Sequence, residues 1–250
     1  IALFLGPEAV GVYAAGYGIA DKSVGLLCAW AAAAGAPMMM AAWEREGPEA
    51  VREVSRHLAR TLLLIAAPAA TGLALVAQPL SDVMIGEDMR AQAASIMPWI
   101  ALSGLINGFV LHYVSEAYQL SHRTDLRAWL MLIPALANLA LNAILLPWIG
   151  LMGAVYSTVA CYALALLLLA GVARKLAPLS WPWRDFLKVA GACSAMAIAV
   201  RMAPSTGGMT ELPMKASVGA TIYVMTALVL DAAGARAALQ QFTSRRARRV

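Results

Sequence analysis

Six polar side chains in this sequence lie in surroundings that make them costly: Asp21, Lys22, Asn107, Asn138, Asn142 and Arg201. Asp21 and Lys22 interrupt an otherwise uncharged apolar segment. A charge within a membrane helix costs at least about 2.5–3.5 kcal/mol on insertion scales, so such residues face a protein interior or an aqueous cavity. A lysine in that setting can bind an anion strongly, because charge pairing grows as the dielectric falls. Successive residues on a helix point about 100° apart, so Asp21 and Lys22 cannot face one partner squarely. Two readings follow. The pair is an interface or structural ion-pair feature, or Lys22 lines an anion-binding cavity. Asn138 and Asn142, four apart, share one helix face, and Asn107 falls mid-span in another segment. Amides there join helices by hydrogen bonds or line a cavity. Arg60, Arg90 and Arg201 are further cations.

The patterns of soluble catalysis are missing. The sequence has no Walker A loop, no His-Glu-x-x-His, no Gly-x-Ser-x-Gly and no Gly-x-Gly-x-x-Gly. His57, His112 and His122 are scattered, and no carboxylate pair has a spacing suited to acid–base work. Cys28, Cys161 and Cys193 are odd in number and widely spaced, which indicates neither a disulfide framework nor a zinc site. We therefore expect no catalytic residue, no metal and no cofactor.

The elements that must position these residues are membrane helices. Of 250 residues 61% are hydrophobic and only 13% are charged, with a mean hydropathy of +0.71. Soluble domains run at about 45–50% apolar and about 25% charged. The net charge of +5 is a membrane-surface feature rather than a nucleic-acid one, as its distribution shows. Uncharged runs cover 23–43 (apolar back to about Gly11), 61–81, 91–115 and 128–173, the last broken at 147–153 by Pro147, Gly150 and Gly153. Weaker runs follow at 186–203 and 214–231. Period-two alternation is absent, and an unpaired backbone cannot sit in lipid, so the fold class is all-α integral membrane with about seven transmembrane helices. The first segment could reach about 48 Å as one helix, beyond the roughly 30 Å core.

Charges alternate between the loops. Arg45, Arg52, Arg56, Arg60, Arg123, Arg127, Arg174, Lys175, Arg184, Lys188, Arg236, Arg245, Arg246, Arg248 and Arg249 fall on one side, and Arg90, Arg201 and Lys215 on the other. The positive-inside rule then puts the C-terminus in the cytoplasm. All tryptophans except Trp30 lie near expected helix ends. Residues 44–60 read as a short amphipathic helix on the cytoplasmic surface, opened by Pro48. Gly11, Gly16 and Gly18, with Tyr13 and Tyr17, allow close packing or bending of the first helix, and Pro68 can kink a later one. Three parts are expected: core helices over 1–175, two further helices over 176–235, and a basic tail over 236–250. The chain opens at Ile1 in an apolar stretch, so we expect more protein upstream.

Three pieces in order resemble a known family. They are Leu5-Gly6-Pro7-Glu8-Ala9-Val10-Gly11-Val12-Tyr13; then Ala66-Ala67-Pro68, Gly72-Leu73, Gln78-Pro79-Leu80 and Ile85-Gly86; then Asn138-Leu139-Ala140-Leu141-Asn142 running to Pro147-Trp148-Ile149-Gly150-Leu151-Met152-Gly153-Ala154. Together they resemble the second half of polysaccharide (O-antigen and exopolysaccharide) flippases, in the superfamily that includes MATE transporters and lipid II flippases. The resemblance implies one of two helical bundles, containing the end of helix seven and helices eight to fourteen. It also implies alternating access, a bacterial inner-membrane location, an undecaprenyl-pyrophosphate-linked oligosaccharide as substrate, and a first bundle of the same protein as partner. Lys22 is the expected pyrophosphate contact. A drug or cation antiporter using Asp21, and a polymerase or ligase of envelope polysaccharide assembly, are the rival expectations.

Overall fold

Long apolar runs have one economical solution in lipid, which is to satisfy every backbone hydrogen bond within the segment. The computed structural model describes residues 2–205 and 210–237, with side chains from residue 5 onward. Among these residues every regular element is helical. The order is α1 (Ala2–Ala32), α2 (Gly35–Glu46), α3 (Pro48–Leu75), α4 (Ala77–Met84) and α5 (Glu87–Phe109), then a π-helical turn (Val110–Val114) leading into α6 (Ser115–Leu120). α7 (Thr124–Ile149), α8 (Leu151–Leu176), α9 (Trp183–Met202) and α10 (Glu211–Val229) follow. Six helical stretches are long and apolar enough to cross a membrane. The chain is thus a multi-pass helical membrane protein. The remaining expected span forms as α9, but Arg184, Asp185, Lys188 and Arg201 leave it without the long weakly charged stretch that the other six have. Most of the expected basic tail, from residue 238, lies outside the described residues.

Two expectations about the first part of the chain are corrected. The overlong first segment is not one helix. It is interrupted at Ala33 and Ala34, where the Ala33 N–H reaches only the Trp30 carbonyl at 3.3 Å, and α2 continues along α3 and α6. This break explains the excess length and puts Trp30 in the last turn of α1, a helix end after all. The separate surface helix over 44–60 is also not found. Pro48 does open a helix, but that helix continues without interruption to Leu75. Val51, Ser55 and Leu58 are buried against protein, so the apolar stripe faces neighbouring helices rather than lying on lipid.

The two junctions expected to be turns have the backbone geometry that glycine permits. Gly6 breaks α1 with φ 82° and ψ 176°. Gly150 sits at φ 60° between α7 and α8, a left-handed region that other residues rarely enter. α7 and α8 then fold back as a hairpin. Gly153 lets them close, since a Cβ there would meet the Leu145 carbonyl oxygen at 2.6 Å.

α5 is the hub, packed against α1, α3, α4 and α8, with Ile96, Met97, Ile100 and Ala101 fully buried. α9 leans on α3, and α10 on α9. α7 is the least buried of the long helices: only Pro134 and Leu146 are buried in it. Its exposed Trp129 and Trp148 lie about 28 Å apart along the axis, close to the roughly 30 Å hydrocarbon thickness at whose borders aromatic rings gather.

Candidate functional site

The polar residues of α1 separate into two sets by helix geometry. Tyr13, Tyr17 and Asp21 recur every four residues and share one side, while Lys22 points about 100° away from Asp21. Asp21 is half-buried and turned toward α5: a Cβ at Gly104 would lie 3.4 Å from its Oδ1 and equally close to Val24 Cβ. One turn on, a Cβ at Gly108 would collide with Cys28 Sγ. Gly16 repeats the arrangement from the α1 side, against Ile96 Cδ1 at 2.8 Å. Gly104 and Gly108 form a small-xxx-small pair of the kind that brings membrane helices together, a signal in the sequence that our reading of it passed over.

Lys22 is exposed on the opposite side, and no ion pair among the described residues includes it. A Cβ at Gly18, one turn earlier, would have nothing within 4 Å. This side of α1 carries no partner helix from the described chain. Gly11 is exposed beside Met89 of α5, 3.7 Å from where its Cβ would sit.

On the Asp21 side, away from Lys22, a row of hydroxyls joins α1 to α8. The Tyr13 hydroxyl lies 3.3 Å from Thr158 Oγ1. Because the Thr158 hydroxyl donates to the Ala154 carbonyl at 2.8 Å, Tyr13 is the donor. Tyr17 and Tyr162 meet hydroxyl to hydroxyl at 3.4 Å, and the Tyr13 and Tyr17 rings stack at 5.5 Å. Thr158 closes the third of the family-like pieces in the sequence, whereas Tyr162 was not singled out, although their spacing of four mirrors that of Tyr13 and Tyr17.

The other expected residues are placed elsewhere. Asn142 Nδ2 donates to the Asn138 carbonyl and to its Oδ1, both at 2.9 Å, and Ser157 Oγ of α8 donates to Asn142 Oδ1 at 3.0 Å. These amides therefore tie α7 to α8. Asn107 is half-buried on α5 and joins neither group. Arg201 is exposed at the end of α9, whose neighbours are α3 and α10, so the fold does not bring it to Lys22. Arg60 is held by Asp185 of α9 at 2.8 Å, and Arg90 caps the Ile85 carbonyl at 2.8 Å. Pro68 lies within α3 and Pro147 in the last turn of α7. No cluster of three or more histidine, cysteine or acidic side chains suited to a metal occurs among the described residues.

Comparison with solved structures now bears on this arrangement. The chain superposes on the lipid II flippase MurJ in its inward closed conformation with a TM-score of 0.68, at 16% identity, over 88% of this chain and 45% of that one. It has the fold of about half of MurJ. At this identity the likeness is one of fold, and it matches the all-helical bundle expected from the sequence. No family model matches the sequence, and no curated protein matches it.

Proposed function

We propose that this chain is one lobe of a flippase for a lipid-linked substrate, with the open side of α1 as its substrate-facing wall. The observation that carries the reading is Lys22, an exposed cation on a side of α1 that no helix of the described chain covers, next to Gly18, where a Cβ would meet nothing within 4 Å. A cation there suits a pyrophosphate, whose charge it would meet in low dielectric. The substrate we infer is an undecaprenyl-pyrophosphate-linked oligosaccharide, moved across the bacterial inner membrane for O-antigen or related polysaccharide synthesis. In this reading the C-terminus is cytoplasmic. The facing wall comes from the first bundle of the same protein, and rocking of the two bundles alternates access. Asp21 is turned into the α1–α5 seam, which favours this reading over a cation antiporter that would need a carboxylate on the open side.

The test is transport by the whole protein in vesicles carrying a fluorescent polyprenyl-pyrophosphate oligosaccharide. Lys22→Ala is expected to slow flipping at least about tenfold, equivalent to about 1.4 kcal/mol, and Lys22→Arg to retain most of it. Unchanged flipping in Lys22→Ala would remove the reading. Uptake of an organic cation that depends on Asp21 would replace it with the antiporter.

A further inference from the structure

Away from the open side of α1, α3 carries a second pattern. Arg52, Arg56, Leu63, Ala67 and Thr71 fall within about 100° of one another around the helix. The two arginines, with Arg174 from the end of α8 and the loop 177–180, line a polar cavity. Leu63, Ala67 and Thr71, with Phe109 of α5, Leu166 of α8 and Phe186 of α9, line an apolar groove of about 590 Å³. A short wall separates the two. Ser180 in that wall is fixed three ways: its N–H donates to the buried Ser55 Oγ at 3.0 Å, its Oγ accepts from Arg56 Nε at 3.2 Å, and its carbonyl accepts from the Tyr113 hydroxyl. Trp181 and Trp183 then turn into the groove.

We propose that this stripe binds one anionic phospholipid of the bilayer, its phosphate on Arg52, Arg56 and Arg174 and its acyl chains in the groove. Length and charge select the occupant. From Arg56 to Thr71 the helix rises about 22 Å, close to one leaflet with its headgroup layer, about 20–22 Å. The groove opens between helices that are otherwise in lipid, so a chain of the same bilayer fills it. No carboxylate lines the polar cavity. Glu49 and Glu53 engage Arg52 and Arg56 from outside it, at 3.4 and 3.1 Å, with most of their own surface in solvent, and Arg174 has no ion pair among the described residues. A guanidinium offers five N–H donors, enough to keep such a contact and still bind a phosphate. The inference stands apart from the flippase reading, since it does not use Lys22.

The test is native mass spectrometry of the full chain released from nanodiscs of phosphatidylcholine and phosphatidylglycerol in equal amounts. We expect phosphatidylglycerol to be retained about tenfold over phosphatidylcholine. Arg52→Gln combined with Arg174→Gln, which spares the Arg56 anchor of the loop, should bring retention to near parity. Ala67→Phe, which fills the groove and leaves the arginines intact, should reduce retention of both lipids. Equal retention by the unsubstituted protein, or an unchanged preference in the double variant, would overturn the proposal. So would displacement of phosphatidylglycerol by a polyprenyl pyrophosphate at equal mole fraction, which would give the groove to the transported lipid. Arginine-dependent binding of inorganic phosphate without any lipid preference would overturn it as well.

Discussion

The two sides of α1 are built by opposite rules. Toward α5, glycines stand opposite bulk: Gly16 against Ile96, Gly104 against Asp21 and Val24, Gly108 against Cys28. Little space is left, and the helices approach as closely as their backbones permit. Away from α5, Gly18 faces open space and Lys22 is exposed. The hydroxyl contacts of 3.3 and 3.4 Å from Tyr13 and Tyr17 to α8 lie on the packed side, not on this one. A helix locked on one side and uncovered on the other can act as a fixed wall of a changing space. Membrane helices gain association from close packing of small residues, so the seam is where stability resides. The open side contributes little to stability, and a charge there accords with the proposed substrate-facing wall.

Four substitutions sharpen or break this contrast, in order of expected effect on thermal unfolding of the detergent-solubilised protein. Gly108→Leu drives a side chain into Cys28 and should cost about 1–3 kcal/mol, as overpacking does; an unchanged midpoint would mean the seam is not tight. Arg60→Ala strips the partner from Asp185, which is largely buried while Arg60 is partly in solvent. We expect a loss of about 1–2 kcal/mol, less than for a fully buried pair, read as looser α9 packing in hydrogen exchange. Asn142→Leu removes the amide joining Asn138 to Ser157 and should cost about 0.6–1.7 kcal/mol, again by unfolding midpoint. Tyr17→Phe deletes one hydroxyl of the row and should cost about 0.5 kcal/mol or less, given its length. A large loss from Tyr17→Phe with none from Gly108→Leu would move the weight of the packed side from the glycines to the hydroxyl row.

Much of this fold is legible in the sequence because the bilayer leaves few alternatives. Uncharged runs had to be helices, and Pro147 with Gly150 and Gly153 had to be a turn. Two errors share one cause. Hydropathy measures whether a segment is apolar, not where it bends or what it faces. The turn at Ala33 and Ala34 lies between two apolar helices and leaves no polar mark, and the apolar stripe of residues 48–58 is the same whether it meets lipid or protein. The polar residues were easier to notice than to place. Asn138 and Asn142 shared a face as their spacing required, but their tie to Ser157 depends on the α7–α8 register. The separation of Asp21 from Lys22 follows from the helical angle alone, whereas deciding which one meets α5 required Gly104 and Gly108, whose spacing was visible. Thr158 and Tyr162 became informative only once α8 was seen beside α1.

The central claim is that the Lys22 side of α1 borders a water-accessible substrate path while the Gly104–Gly108 side is sealed. It can be tested directly in the whole protein with Cys28, Cys161 and Cys193, all buried, replaced by alanine. Single cysteines would be introduced as Gly18→Cys, Lys22→Cys and, on the sealed side, Val24→Cys, and labelled with a membrane-impermeant maleimide in vesicles opened to both faces. The account predicts fast labelling at positions 18 and 22, slowed by a polyprenyl-pyrophosphate oligosaccharide, and none at position 24. Labelling at position 24, or labelling at 18 and 22 that the substrate leaves unchanged, would contradict it.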